Sequence, residues 1–400
     1  MKRLFFYIIM LFILFHPTGH YTAAAHEQPY DRDKIFDEFS FGIQRQVEQL
    51  DINEVNKYLQ DINRQYGTAF SSSAKEMIKN ITQGNFSFNI KDLLGNLFKF
   101  FFKEVVINLN LMGKIIILAI ICGLLKNLQS SFSKSGISEI TYYCCYIVIM
   151  VILVQSFTSI LNMSKTTIDN MVVFMQAIFP ILITMLISMG GIASSSLFQP
   201  IMGLLVSGVG TFLKDLVFPL IFFTAILFLI NNVSPHIQIS KLANLMKNIC
   251  IWILGIIFTI FVGVLAVQGI AASAFDGVSI RTAKFAIDTF IPVVGSMLSE
   301  SIDTIIGCSL LVKNATGLIG LIILAFICLF PIMKILAIVF IYKLVAALIQ
   351  PISDERLVNC LNDISNVVVL LFITLAAVAF MFFITISLII GAGNITVMMR

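Results

Sequence analysis

The polar residues best able to do chemistry in this 400-residue chain stand together in an otherwise apolar setting, between Gln268 and Asn314. Asp276, Arg281, Lys284, Asp288, Glu300, Asp303 and Lys313 all fall there. On a helix Arg281, Lys284 and Asp288 occupy positions i, i+3 and i+7, so they share a face and can pair. Glu300 and Asp303 also share a face. Ionisable groups are costly inside a bilayer and normally face a bundle interior or a water-filled path, which makes this stretch a candidate conduit lining. An amphipathic external connection whose charges are merely solvated is the competing reading, and the sequence leaves both open.

Other lysines interrupt apolar runs. Lys114 and the Lys214-Asp215 pair lie where a long side chain could snorkel to the interface. Lys343 sits deeper in its run, which gives it more claim to a function. Gly203 with Ser207, and Gly255 with Gly263, are spaced to let helices pack closely.

Enzyme signatures are missing. The histidines are His16 and His20 near the start, His26 and an isolated His236, which supports neither a metalloprotease helix nor a Ser-His-Asp set. Asp288 and Asp303 lack the motif context of an intramembrane aspartyl protease. There is no P-loop, so no nucleotide cofactor is expected, and no metal-ligand spacing occurs. The seven cysteines (Cys122, Cys144, Cys145, Cys250, Cys308, Cys328, Cys360) read as small apolar fillers. A net charge of +4 with no basic cluster argues against nucleic acid.

These residues must be held by membrane helices. Hydrophobic residues make up 58% of the chain and charged residues 12%, with a mean hydropathy of +0.96; no water-soluble chain of this size hides so much apolar surface. The expected fold is all-α, a polytopic helical membrane protein preceded by a small exported α-helical domain. Met1-Lys2-Arg3, the apolar run Leu4–Phe15 and Ala23-Ala24-Ala25 compose a signal peptide over residues 1–25.

Residues 26–90 hold ten of the 22 acidic residues and form the exported domain. Phe36, Phe39, Ile43, Val47 and Leu50 mark one amphipathic helix, and Val55, Leu59, Ile62 and Tyr66 mark a second. Ser73 with Glu76 opens a third as a capping box. An interfacial helix at 91–104 follows, with Lys99 and Lys103 among phenylalanines.

Apolar segments then predict eight to ten spans: a first transmembrane pair at 105–161, a membrane repeat at 165–267, a second at 277–390 and a tail at 391–400. The repeat rests on an offset of 112 residues that sets Phe218-Pro219 over Phe330-Pro331 and Pro180 over Pro292, the pattern expected of an internal duplication of the kind that builds sites between related halves. Short, glycine-broken segments at 200–213 and 216–230 suggest discontinuous helices. Positive-inside bias puts the 231–248 loop in the cytoplasm, whereas the acidic segment 350–366 reads as external.

Val267-Gln268-Gly269, Asp276-Gly277, Arg281-Thr282-Ala283-Lys284-Phe285, Pro292-Val293, Leu311-Val312-Lys313-Asn314, Phe340-Ile341-Tyr342-Lys343-Leu344, Gln350-Pro351 and Gly393-Asn394 together resemble the stage III sporulation protein AE family of endospore-forming bacteria. The resemblance covers nearly the whole length and is strongest between 240 and 345. It implies a multi-pass protein of the mother-cell membrane around the forespore. Its implied partners are the other membrane proteins of the same sporulation operon and a forespore-membrane channel partner. Such proteins together form a secretion-like channel that sustains the forespore; the family offers no catalytic residues to transfer. The competing expectation is a self-sufficient transporter with a midplane site containing Lys284, Asp288 and Lys343.

Overall fold

The computed structural model describes residues 32–66, 72–85, 90–131, 136–233, 238–290 and 295–398, with side chains left out in parts of these, notably 270–302. The signal segment therefore lies outside the described residues. Residues 41–400 make up one compact unit, to which the following description applies. Among the described residues the chain is helical throughout, with no strand.

Three short helices come first: α1 (Arg32–Gln49), α2 (Asn53–Tyr66) and α3 (Ala74–Thr82). Of the apolar stripes, Val47, Leu50, Val55, Leu59, Ile62, Met77 and Ile78 are buried and Ile43 is half-buried, while the side chains of Phe36, Phe39 and Tyr66 lie outside the described residues. Ser73 caps α3 through its hydroxyl on the Glu76 amide, while the Glu76 carboxylate accepts from the Ser73 amide. Helix α2 is tied to α3 by the Ala74 amide, which donates to Asn56 Oδ1 at 2.8 Å.

Helix α4 (Ile90–Ile107) leads into α5 (Leu109–Ser131), the two bent by 42° at Asn108. The long elements follow. They are α6 (Gly136–Ser188), α7 (Ile192–Phe212), a π-helical turn at Leu213–Val217, α8 (Phe218–Asn231), α9 (Ser240–Phe290), α10 (Gly295–Ile349) and α11 (Glu355–Met398).

Among the described residues five stretches are long and apolar enough to cross a membrane, and the bent α4–α5 pair would make a sixth. This is fewer than the eight to ten expected, because neighbouring apolar segments fuse. The 140–161 and 171–189 segments are one 53-residue helix. Those at 309–330 and 331–349 lie within one of 55, with Pro331 inside it. The 200–213 and 216–230 segments join through the π turn into a single 40-residue stretch. Reading each apolar run as one crossing assumes that polar interruptions lie in loops; here they lie inside helices.

Neighbouring passes alternate in direction. Gln176 on α6 donates to Ser207 on α7 at 3.0 Å, and Phe157 stacks on Phe222 of α8. Helix α10 runs antiparallel to α11, since Lys313 meets Ile390 and Val339 meets Ser365. Helices α9 and α11 run parallel, pairing Phe258 with Phe380 and Phe261 with Phe382.

Two ends result. The α7 N-terminus and the C-terminal turns of α11 lie at one. The α8–α9 connection and the 350–354 turn lie at the other, where Asn232 Nδ2 donates to Asp363 at 3.0 Å. The 231–248 and 350–366 segments therefore share an end, contrary to the opposite sides expected from their charge. Two passes, α9 and α10, separate them.

Close helix approach also differs from expectation. Gly203, Gly255 and Gly263 face open space. Among the glycines that matter sterically are Gly317 and Gly320 on α10, where a Cβ would overlap Ile390 and Ile178, Gly210 on α7, where it would overlap Val172, and Gly123 on α5, where it would overlap the backbone carbonyl of Ile352. Several buried hydroxyls need no partner helix. Ser164, Thr224, Thr374 and Thr385 each donate to the carbonyl four residues back in their own helix.

Candidate functional site

The α10 segment Ser309–Gly320 carries Lys313 one turn before Gly317 and two turns before Gly320. With no side chain at these glycines, α10 settles closely against Ile178 and Leu182 of α6 and against Ile386 and Ile390 of α11. That approach brings the α11 backbone within reach of Lys313. Its ammonium donates to Ile390 O at 2.9 Å and to Ile389 O at 3.5 Å. Lys313 is 0% exposed, and among the described residues its ammonium meets only these carbonyl oxygens.

Beside it, Asn314 Nδ2 donates to Asn394 Oδ1 at 3.2 Å, while Asn314 Oδ1 is buried and meets no donor among the described residues. The arrangement is a carbonyl cradle filled by a tethered amine. It holds one ionisable group inside an apolar bundle, which a structural role alone rarely demands because burying such a group is unfavourable.

A second polar zone lies at mid-height. On α6 the run Asn162–Asn170 breaks the apolar sequence with Lys165 and Asp169. Lys214, in the π turn, pairs with Asp169, so Lys214 bridges helices rather than snorkelling. The π turn supplies the offset: its extra residue shifts the register of the helix so that Lys214 points at α6. A cleft of about 500 Å³ opens at the same level. It is lined by Asp61 of α2, Lys103 and Glu104 of α4, Thr167 and Asn170 of α6, and Lys334 of α10. Tyr58 borders it and meets Phe174 edge-on at 5.4 Å. Burial, then the charges of Glu54 and Asp61, hold the Tyr58 phenol above its ordinary value.

Lys343 lies elsewhere. It is exposed toward a second cleft of about 490 Å³ at the 350–354 end, with Gln350, Glu355, Asn359 and Asn362. Asp303 is exposed near the opposite end. Arg281, Lys284 and Asp288 fall on α9 and Glu300 on α10, but their side chains lie outside the described residues. Of the sequence-derived candidates with described side chains, Lys313 alone is placed in the bundle interior; Lys313 and Lys343 are not brought together. No metal-ligand cluster occurs among the described residues.

Sequence reasoning passed over Gly317, Gly320 and Asp169. The Gly-x-x-Gly spacing four residues after a lysine was the available signal for the first two, and the complementary charge of Asp169 and Lys214 was the signal for the third.

No solved structure matches this chain. Residues 72–393 match the family described as stage III sporulation protein AE. A curated relative of that name from Bacillus subtilis (strain 168) is 36% identical over 402 residues, covering 100% of both chains. The match spans the glycine-packed lysine cradle, the mid-height ion pair and all the long helices, and the chain belongs to the stage III sporulation protein AE family.

Proposed function

We propose that this protein is a non-enzymatic membrane subunit of a channel or secretion-like complex that links mother cell and forespore and is needed for forespore development. In this reading it resides in the mother-cell membrane around the forespore, its signal peptide is removed, and helices α1–α3 face the space between the two membranes. Its partners are other membrane proteins of the same sporulation operon and a protein of the forespore membrane.

The observation that carries the reading is the seat of the charged helices. Gln46 donates to Ser309 at 2.8 Å, and Tyr58 packs on Phe174, so α1 and α2 are fastened along the bundle with Glu54, Lys57 and Arg64 facing outward. A charged, water-facing surface fixed to an apolar bundle suits docking better than solute passage by a lone carrier.

Photo-crosslinkers at Lys57 and Arg64 in sporulating cells test it. Recovery of other sporulation membrane proteins supports a subunit; recovery of none, with a functional variant, removes the proposal.

The second reading is a self-sufficient transporter, favoured by the buried Lys313. Solute uptake by the purified protein in liposomes, lost in Lys313→Met, would select it.

A further inference from the structure

We infer that only half of the bundle height touches lipid, the half between the mid-height charged belt and the 350–354 turn, and that the other half stands out of the bilayer on the side of α1–α3. The inference does not rest on the channel reading.

Length sets the problem. The 46-residue Tyr143–Ser188 and 47-residue Asp303–Ile349 stretches are about 70 Å long at 1.5 Å per residue. A hydrocarbon core is about 30 Å thick, and no ordinary tilt absorbs the excess. Each long helix therefore places roughly half its length outside one bilayer.

The belt divides the height. Lys165, Asp169, Lys214 and Lys334 interrupt α6, the π turn and α10 at one level, and the polar cleft opens there. From this level to the 350–354 end, Leu216–Asn231 and Tyr143–Ser159 each measure about 25 Å, close to one hydrocarbon core.

The charged faces of α1–α3 choose between the halves. Toward the 350–354 end the outward residues are large and apolar, including Ile117, Ile147, Val151, Phe223 and Ile256. Lys114 and Lys343 are exposed there too, within snorkelling reach of water. Beyond the belt, exposed positions on α6 and α7 are mixed: Gln176, Thr184, Ser196, Gln199, Gly203 and Thr211 alternate with the apolar Val173, Ile187, Ile192, Leu197, Leu204 and Phe212. The same half carries α1–α3: Gln46 is bonded to Ser309, and a Cβ at Gly42 would touch Cys308. Immersing that half would put the exposed Glu54, Lys57, Glu76 and Lys79 among acyl chains.

Full-length protein with single cysteines at Val151, Phe223 or Ile256, and at Val173, Ser196 or Leu204, carries a bimane label in phosphatidylglycerol–phosphatidylcholine vesicles. Acyl-chain nitroxide lipids are the quencher. The first set is expected to be quenched several-fold more than the second. Equal quenching, or the reverse order, overturns the inference. Burial of the second set against another protein does not mimic lipid contact, because nitroxides on acyl chains would still be remote. Should a cysteine variant fail to fold, a lipid-soluble photoreactive carbene precursor applied to the unsubstituted protein gives the same readout by peptide mapping. Label in 171–212 equal to that in 143–159 and 216–231 overturns it.

Discussion

At the scale of single residues, Lys313 carries the clearest conflict between stability and retention. Two carbonyl bonds return only part of the several kcal/mol that desolvating an ammonium costs. Lys313→Met fills a similar volume without charge. It is expected to leave the thermal midpoint of detergent-solubilised protein unchanged or raised while heat-resistant spore counts collapse. A variant that lost both would mark the lysine as structural.

Glycines give a graded expectation. Ala at Gly123 would collide with the backbone of Ile352 and Ser353, whereas Ala at Gly320 meets the end of the Ile178 side chain, which can rotate. Gly123→Ala should cost about 1–3 kcal/mol of the kind seen on overpacking and Gly320→Ala less, as read by thermal unfolding. Tyr58 supplies a pH dependence. Its phenol is raised from 10.0 in the folded state, so the stabilisation is present below pH 10 and declines as pH climbs through the folded value. Tyr58→Phe should flatten that alkaline loss.

Among elements, α3 and the π turn make separable predictions. Removing the Ser73 cap with Ser73→Ala should cost about 1 kcal/mol locally, visible as faster hydrogen exchange in residues 74–82 with the long helices unaffected. Lys214 and Asp169 are partly exposed, at 36% and 46%, and a water-screened pair contributes little, about 0.2–1 kcal/mol. Single neutralisations should therefore shift melting slightly, and the exchanged pair Asp169→Lys with Lys214→Asp should restore it.

These elements also show what the chain made legible. The stripes of α1 and α2 and the Ser73–Glu76 capping box were readable because local periodicity and capping depend on neighbours a few residues apart. The span count was not, because Asn162–Asn170 looks like a loop until α2 and the π turn cover it. The interior lysine could be named but not placed, since its partners are carbonyls on α11, about 77 residues away, and a carbonyl has no signature in sequence. The duplication remains a proposal. Phe218-Pro219 directly follow the π turn, whereas Phe330-Pro331 lie inside the uninterrupted α10.

For the whole molecule, connectivity fixes which ends share a side. Residues 136–398 make five passes, beginning at the 350–354 end and finishing at the other. With α1–α3 exported as proposed, an impermeant maleimide applied to intact vegetative cells that express the protein in their outer cell membrane should label a cysteine at Gly190 or in the C-terminal tail and spare one at Ile352. Labelling of all three, or of the last alone, would refute this arrangement.

Residue-level consequences reach this scale through one side chain. The chain has a single tryptophan, and α9 holds Trp252 outward at 68% exposure, about two turns from Phe258, which stacks on Phe380. Ultraviolet emission from unlabelled protein thus reports on one spot of the α9 outer wall. Its wavelength reads local polarity, and any subunit that came to cover that wall would announce itself as a change of colour.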